Sequence, residues 1–117
     1  MTNRYEQQMK KGVLDMLIMK LLEEQEKYGY QLIQELKQKG GGRLTLKEGT
    51  LYPALYRLEE EGWIQSRWSE ASDKEPAKKY YGLTAEGKQA LEEIFSIWKE
   101  FSCNVEQIMD GAGEGRC

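Results

Sequence analysis

Hydrophobic residues recur at helical spacing through the first third of the chain. Five of them form one stripe at i, i+3, i+4, i+7 and i+8, namely Leu14, Leu17, Ile18, Leu21 and Leu22. This stripe predicts a first helix over about residues 5–24. A shorter stripe of Leu32, Ile33 and Leu36 predicts a second helix over about residues 29–39, and three glycines at 40–42 end it.

The run KEGTLYPALYRLEEEGW at residues 47–63 contains a third helical stripe with a proline inside it. Its apolar side consists of Leu51, Leu55 and Leu58. Two starts fit the sequence, a capping box at Thr45 or a start at Lys47. Pro53 cannot bond the carbonyl of residue 49. Because that residue is Gly49, we expect the missing Cβ to leave room, so that Pro53 curves or tightens the helix without breaking it.

The hydrophobic period changes after Gly62. WIQSRW alternates between apolar and polar residues, and AKKYYGL is rich in aromatic residues. These runs predict two antiparallel strands joined by the polar loop SEASDKEP. Thr84 then precedes a long apolar-periodic segment with Glu86 in its first turn, which predicts a capped fourth helix.

The apolar positions of this last helix follow a heptad pattern. Leu91, Ile94, Trp98, Phe101, Val105 and Ile108 are spaced 3, 4, 3, 4 and 3 residues apart. Phe95 and Ile97 add apolar surface beside this seam, more than a small core can cover. We therefore predict a homodimer whose interface contains Phe95 and the six seam residues, with helix 1 as a further contact.

Composition narrows the class of protein. With 117 residues, of which 39% are hydrophobic and 32% charged, the chain suits one domain. No apolar run is long enough for a membrane span, and we expect a cytoplasmic protein with no membrane partner. The chain has no histidine, and Cys103 and Cys117 lack metal or redox spacing. We therefore expect no metal, no cofactor and no enzymatic activity.

The formal net charge of −3 hides an uneven distribution. Residues 1–81 carry 14 basic and 13 acidic side chains, whereas residues 82–117 carry 3 basic and 7 acidic ones. A locally positive face within the first two thirds is compatible with the acidic total, because binding depends on the local field.

Three helices followed by two strands is the order of a winged helix-turn-helix, in which helix 3 enters the major groove of DNA. The predicted fold is thus mainly α with a small β-hairpin, plus a long C-terminal dimerisation helix. The candidate DNA-binding residues are Lys47, Glu48, Thr50, Tyr52, Tyr56 and Arg57 on helix 3, with Arg67, Lys78 and Lys79 on the hairpin. Tyr52 and Tyr56 also fit partial core packing, and Arg57 also fits a surface pair with Glu60 or Glu61.

The runs GTLYPALYRLEEEGWI and KKYYGLTAEG resemble the helix 3 and wing signatures of the PadR-type transcriptional regulators. The resemblance covers about residues 10–109 and includes YGYQLIQEL. It implies a dimeric winged-helix repressor. The chain also looks like the short C-terminus, multidrug-sensor-like branch, in which a tryptophan at the position of Trp98 binds planar aromatic molecules at the dimer centre. Trp98 also fits a purely structural role in the dimer.

Two positions depart from the family pattern. Residues 74–77 read KEPA where the family often has a basic glycine-rich loop, which weakens the expected contact of the wing with phosphate. Lys47 stands where the family often has Ser or Asn at the helix 3 cap. We therefore expect affinity to depend more on helix 3 than the family pattern implies.

The functional prediction is a ligand-responsive repressor that binds a pseudo-palindromic DNA operator as a homodimer. The predicted division is a DNA-binding domain over residues 5–83, a dimerisation helix over 84–109 and a disordered tail over 110–117. The alternative is a winged-helix dimer that binds a protein or sequesters a small molecule without binding DNA.

Overall fold

The computed structural model describes residues 3–111, apart from the side chains of residues 3 and 7. The elements in chain order are α1 (Asn3–Glu24), β1 (Lys27–Tyr28), α2 (Gly29–Lys39), α3 (Glu48–Glu60), β2 (Ile64–Trp68), β3 (Lys79–Leu83) and α4 (Ala85–Asp110). The predicted mainly helical fold with a long last helix is confirmed. Most of the predicted disordered tail, together with Cys117, lies outside the described residues.

The sheet has three antiparallel strands in the order β1-β3-β2, one more than the sequence predicted. In the register, Tyr28 of β1 lies opposite Tyr80, and Ile64 of β2 lies opposite Leu83. Strand β1 is only two residues long, so it has no alternation of apolar and polar residues from which it could be predicted. We call β2, β3 and the loop of residues 69–78 between them the wing.

The core is formed by the inner sides of the first three helices and the base of the wing. Its fully buried members include Ile18, Met19, Leu32, Leu51 and Ile64. The predicted stripes of α1, α2 and α3 therefore point inward as expected. The first turns of α4 join this core through Ala90 and Leu91.

A buried lysine joins the end of α1 to the sheet. Lys27 donates a hydrogen bond of 2.8 Å to the carbonyl oxygen of Leu21, and its ammonium lies 3.5 Å from Glu24 and 3.6 Å from Glu35. These partners satisfy a charge that burial would otherwise make costly, as well as a free carbonyl of the last helical turn. Lys27 thereby fixes the turn that leads into β1.

The caps of α3 and α4 differ. Lys47 is the N-cap of α3 and makes no side-chain capping bond, while the Thr45 hydroxyl donates to the carbonyl of Gly42 at 3.2 Å. Of the two predicted starts, the capping box at Thr45 is therefore wrong. The predicted Thr84 cap of α4 is confirmed, since its hydroxyl accepts a hydrogen bond from the Gly87 N–H at 2.9 Å.

Candidate nucleic-acid interface

Helix α3 presents one side to solvent between α1 and the wing. Gly49, Pro53, Tyr56 and Glu60 follow the 4-3-4 spacing of a single helical face, and all four are exposed. We call this face the exposed ridge. The helix thus buries its leucines and leaves a continuous outer face free for a partner.

The two edges of the ridge face different neighbours. On one edge, Arg57 forms an ion pair with Asp15 of α1. On the other edge, Glu59 accepts a hydrogen bond of 2.6 Å from the hydroxyl of Ser66 in β2. These contacts fix the rotation of α3 about its own axis, and hence the direction in which the ridge points.

Pro53 lies on the exposed ridge without interrupting the helix. Apart from the main chain of α3 itself, a Cβ added at Gly49 would meet no atom within 4 Å, and this includes the side-chain atoms of the proline ring. The expectation that Gly49 makes room for Pro53 is therefore wrong. The proline is tolerated because its missing hydrogen bond falls on the outer side of the helix, where water can reach the main chain.

The two tyrosines of α3 have different surroundings. Tyr56 is 66% exposed, which does not fit partial core packing. Tyr52 is 44% exposed, and its hydroxyl occupies the space that a Cβ at residue 29 would fill. Gly29 therefore allows α2 to pack closely against α3, and Tyr52 is partly structural. Tyr56 is the freer of the two for contact with a partner.

Both predicted DNA-contacting arginines are paired with acids of their own chain. Arg57 pairs with Asp15, and not with Glu60 or Glu61 as the sequence allowed. Arg67 binds both carboxylate oxygens of Glu26, at 2.7 Å from Nη2 and 3.2 Å from Nε. Hydrogen bonding to the guanidinium lowers the pKa of Glu26 below its usual value and raises the pKa of Arg67. Both arginines therefore already have partners that hold them in place.

The wing lysines keep their charge available. The ammonium of Lys78 lies 4.5 Å from the ring centre of Tyr28, and that of Lys79 lies 5.6 Å from the ring centre of Tyr81. A tyrosine ring attracts a cation without neutralising it. Both lysines line a cleft of about 440 Å³ between the wing and α3, together with Tyr52. This cleft separates the wing from the near edge of the ridge.

Of the two wing tyrosines, one belongs to the core. Tyr81 is buried, and this burial is the main reason that its pKa is raised. Tyr80 lies on the other face of the strand, where its ring packs edge-on against Tyr28 and under the guanidinium of Arg67.

A second basic surface lies on the opposite edge of α3, and it was missed at the sequence level. Lys10 and Lys11 of α1 line a cleft of about 320 Å³ with Lys47 and Thr50. In the sequence they lie one turn before Leu14, on the side of α1 that carries its apolar stripe, and nothing there indicates that they meet the start of α3.

The apolar seam of α4 is divided between the core and solvent. Leu91, predicted to contact a second copy, is buried in the core of its own chain, and Ile94 packs against that core. Farther along, Trp98 is 41%, Phe101 65% and Ile108 79% exposed. Phe95 and Val105, also predicted for the interface, are exposed as well.

Aromatic rings line the surface between α4 and α1. The rings of Phe95 and Trp98 stack with centroids 6.3 Å apart and an angle of 14° between their planes. Trp98 and Phe101 also border a groove of about 560 Å³, whose other side includes Met9 and Val13 of α1. Helix α4 therefore carries a long apolar surface that the described part of its own chain leaves exposed.

Neither a membrane span nor a metal-binding cluster occurs among the described residues. None of the helices within residues 3–111 is long and apolar enough to cross a membrane. In the same part of the chain, no cluster of three or more cysteine, aspartate or glutamate side chains is arranged to hold a metal ion.

A family profile described as transcriptional regulator PadR-like matches residues 18–93, from the middle of α1 to the first turns of α4. The chain belongs to this family. The resemblance predicted from the signatures of helix 3 and the wing is therefore confirmed. The assignment to the multidrug-sensor-like branch stays a prediction.

Two relatives each match more than two thirds of this chain. An uncharacterized protein of Lysinibacillus sphaericus is 34% identical over 101 residues, which are 86% of this chain and 92% of that protein. The negative transcriptional regulator PadR of Bacillus subtilis is 37% identical over 79 residues, or 68% of this chain. The chain spans only 43% of that regulator.

Solved structures show the same architecture. A PadR-like transcription factor from Bacteroides fragilis is 40% identical with a TM-score of 0.72, covering 91% of this chain and 99% of its own. A transcriptional regulator from Clostridium thermocellum is 30% identical with a TM-score of 0.79, covering 86% of this chain and 96% of its own. The long last helix thus belongs to the shared fold.

Proposed function

We propose that this PadR-family protein is a sequence-specific DNA-binding regulator that represses transcription as a homodimer. The observation that carries the proposal is the exposed ridge of α3, which leaves Tyr56 free beside the unneutralised wing lysines 78 and 79. A helix with a free polar and aromatic face beside a basic hairpin suits the major groove and its adjoining phosphates.

The candidate residues then divide by task. Glu48 and Tyr56 face base edges, where a carboxylate can accept a hydrogen bond from cytosine N4. Lys47, Thr50, Lys78 and Lys79 contact phosphates. Tyr52 takes part at the edge of the ridge while it supports α2. Arg57 and Arg67 position the ridge and the wing through their own acids, and reach DNA only by exchanging those partners.

Dimerisation would use the open part of α4. Exposed residues of the seam, above all Phe101 and Ile108, would pack against a second copy, and the groove beside Trp98 would receive it. A twofold axis would place two α3 helices on successive major grooves, so we expect half-sites about 10 base pairs apart. The word negative in the name of the Bacillus subtilis relative supports repression.

A planar aromatic molecule is the proposed effector. The Trp98 ring already stacks on Phe95 and borders the groove of about 560 Å³. Indole faces bind flat aromatic or cationic molecules by stacking. Such a ligand would release the operator if it bound one dimer geometry more tightly than the DNA-competent one.

The test begins with selection of bound fragments from sheared genomic DNA of the source, followed by salt titration of the best fragment by fluorescence anisotropy. We expect a dyad-symmetric site and a steep salt dependence. Replacing Lys78 and Lys79 by Ala should weaken binding to all sequences alike, and should lower the salt slope by about 0.9 for each phosphate that is no longer bound. Weaker binding confined to the selected site would contradict the placement of the wing.

A second candidate function is a dimer that binds a protein or sequesters a small molecule without DNA. The pairing of Arg57 and Arg67 with acids favours it, as does the net charge of −3. It predicts no salt-dependent binding to any DNA near physiological ionic strength. Absence of enzymatic activity and a cytoplasmic location stay expectations under both functions.

A further inference from the structure

The start of α3 meets helix α1 in a cleft with a basic rim. Lys10 and Lys11 come from α1 and Lys47 from the N-cap of α3, and they share the cleft of about 320 Å³ with the Thr50 side chain. Lys11 and Lys47 are exposed, and Lys10 is partly so. Lysines from two helices that are distant in sequence are thus brought to one surface.

Among the residues that the structure describes, these three cations have no acidic partner. Within residues 3–111, leaving aside the side chains at 3 and 7, none of the three ammonium groups forms an ion pair or a hydrogen bond. Of the acids near these lysines, Glu6 pairs with Arg43 at 2.9 Å and Asp15 pairs with Arg57, whereas Glu48, next to Lys47, forms no ion pair among the described residues. Among the described residues, the lining of the cleft therefore carries three cations and no acidic side chain.

We infer that Lys10 and Lys11, with Lys47, bind phosphates of the DNA backbone on the side of α3 away from the wing. This inference rests on the proposed function and extends its binding surface. Thr50 and Arg57 mark the edge of α3 that faces α1, whereas Tyr52 marks the edge that faces the wing lysines. The exposed ridge thus lies between two sets of free lysines.

This arrangement resolves a weakness in the wing. Residues 74–77 of its loop contribute Lys74 beside Glu75, so their charges offset each other. Lysines on α1 supply phosphate contacts from a rigid helix instead. Contacts on both sides of α3 would fix its depth and angle in the major groove, while Glu48 and Tyr56 select the sequence.

The test compares Lys11→Gln with the wild-type protein on the selected operator and on a scrambled duplex of equal length. Because a bound dimer carries two copies of each lysine, we expect affinity to fall by the same factor on both duplexes and the salt slope to fall by about 1.8, or by about 3.6 for Lys10→Gln/Lys11→Gln. Glutamine keeps high helix propensity, so α1 should remain folded. Circular dichroism of each variant checks this point.

Lys88→Gln is the matched control. It removes the same charge from an exposed position in the first turns of α4, at the end of β3 opposite the wing loop. We expect its salt slope to equal that of the wild type. An equal drop for Lys88→Gln and Lys11→Gln would overturn the inference, because it would show a response to net charge alone.

Two further outcomes separate the inference from the function on which it rests. In one outcome, the wild type shows DNA affinity that falls steeply with salt while Lys10→Gln/Lys11→Gln shows the same affinity and salt slope. That result would contradict the lysine contacts and leave the proposed regulator function intact. If the wild type binds no DNA, the proposed function fails first.

Lys10 also borders the groove beside Trp98. A weaker dimer by sedimentation equilibrium, with an unchanged salt slope, would therefore assign these lysines to the partner chain and overturn the inference.

Discussion

Helices α3 and α4 carry similar apolar stripes, which differ in how far the rest of the chain buries them. In α3, the four apolar residues Leu51, Ala54, Leu55 and Leu58 are all buried by the same chain. In α4, burial covers Ala90 and Leu91 near the start, whereas Phe101 and Ile108 stay exposed. The chain therefore buries the whole apolar stripe of α3, but only the first turns of the stripe on α4.

The difference shows what a hydrophobic pattern does and does not specify. Periodicity identifies the side of a helix that avoids water, but the side chains that cover it come from elsewhere in the fold. In α3 the cover is α1, α2 and the base of the wing. In α4 we propose that it is a second copy, so disrupting the two stripes should have different consequences.

The largest effect is expected inside the protomer. Leu55→Ala removes a buried side chain from α3 and leaves a cavity among α1, α2 and the sheet. Such substitutions cost about 2–5 kcal/mol, which is a large part of the stability of a small domain. Chemical denaturation should show this destabilisation at every protein concentration. A change below about 1 kcal/mol would mean that α3 is not firmly packed in the core.

The next largest effect is expected between protomers. Phe101→Ala should weaken self-association by about 1–2 kcal/mol, as truncating a central aromatic residue of an interface does. Sedimentation equilibrium over a range of protein concentrations measures this shift. Tyr30→Ala is the control, since Tyr30 is an exposed aromatic residue on α2. Equal dimer affinity for both variants and the wild type would remove α4 from the interface.

Much of the fold was predictable from the sequence, because most elements use one strong local signal. The α2 boundaries follow from a short stripe and terminal glycines, and the α4 start follows from Thr84. Strand β1 was missed because two residues carry no period, and its position depends on pairing with β3. Long-range contacts of this kind are absent from any local window.

The candidate site was predictable only in outline. The exposed residues of α3 follow from its periodicity, yet the pairing of Arg57 with Asp15 joins residues 42 positions apart in the chain. The same holds for Arg67 and Glu26, at 41 positions. Local patterns identify charged positions, but only the fold shows which charges already have partners.

A smaller effect concerns the outer side of α3. Pro53→Ala should leave stability within about 1 kcal/mol of the wild type, because a regained hydrogen bond is offset by the greater freedom of the unfolded chain. If the fixed φ angle stiffens the exposed ridge, operator affinity should fall by about 1 kcal/mol, or about fivefold. Anisotropy titration with operator and scrambled DNA measures both affinity and discrimination. Unchanged affinity and discrimination would show that Pro53 has no part in DNA recognition.

The smallest effect should test whether contacts within a single chain are sufficient to hold the wing in place. The Arg67 guanidinium holds the pKa of Glu26 below its ordinary value of 4.5. Because the folded-state pKa is the lower one, this pair stabilises the fold fully above about pH 4.5, and the contribution disappears as pH falls through the folded pKa. Glu26→Gln should therefore melt below the wild type at pH 7, and the difference should shrink as the pH is lowered below 4.5.

That difference should be the same at low and high protein concentration, because both partners of the pair lie in one chain. Glu70→Gln, an exposed change in the wing loop, is the control and should melt with the wild type throughout. A Glu26 effect that grew with protein concentration would mean that the wing is held in place by the dimer. The wing would then depend on a second copy for its stability, as we propose for the cover of α4. Of the regions compared, only α3 would then be stabilised by its own chain alone.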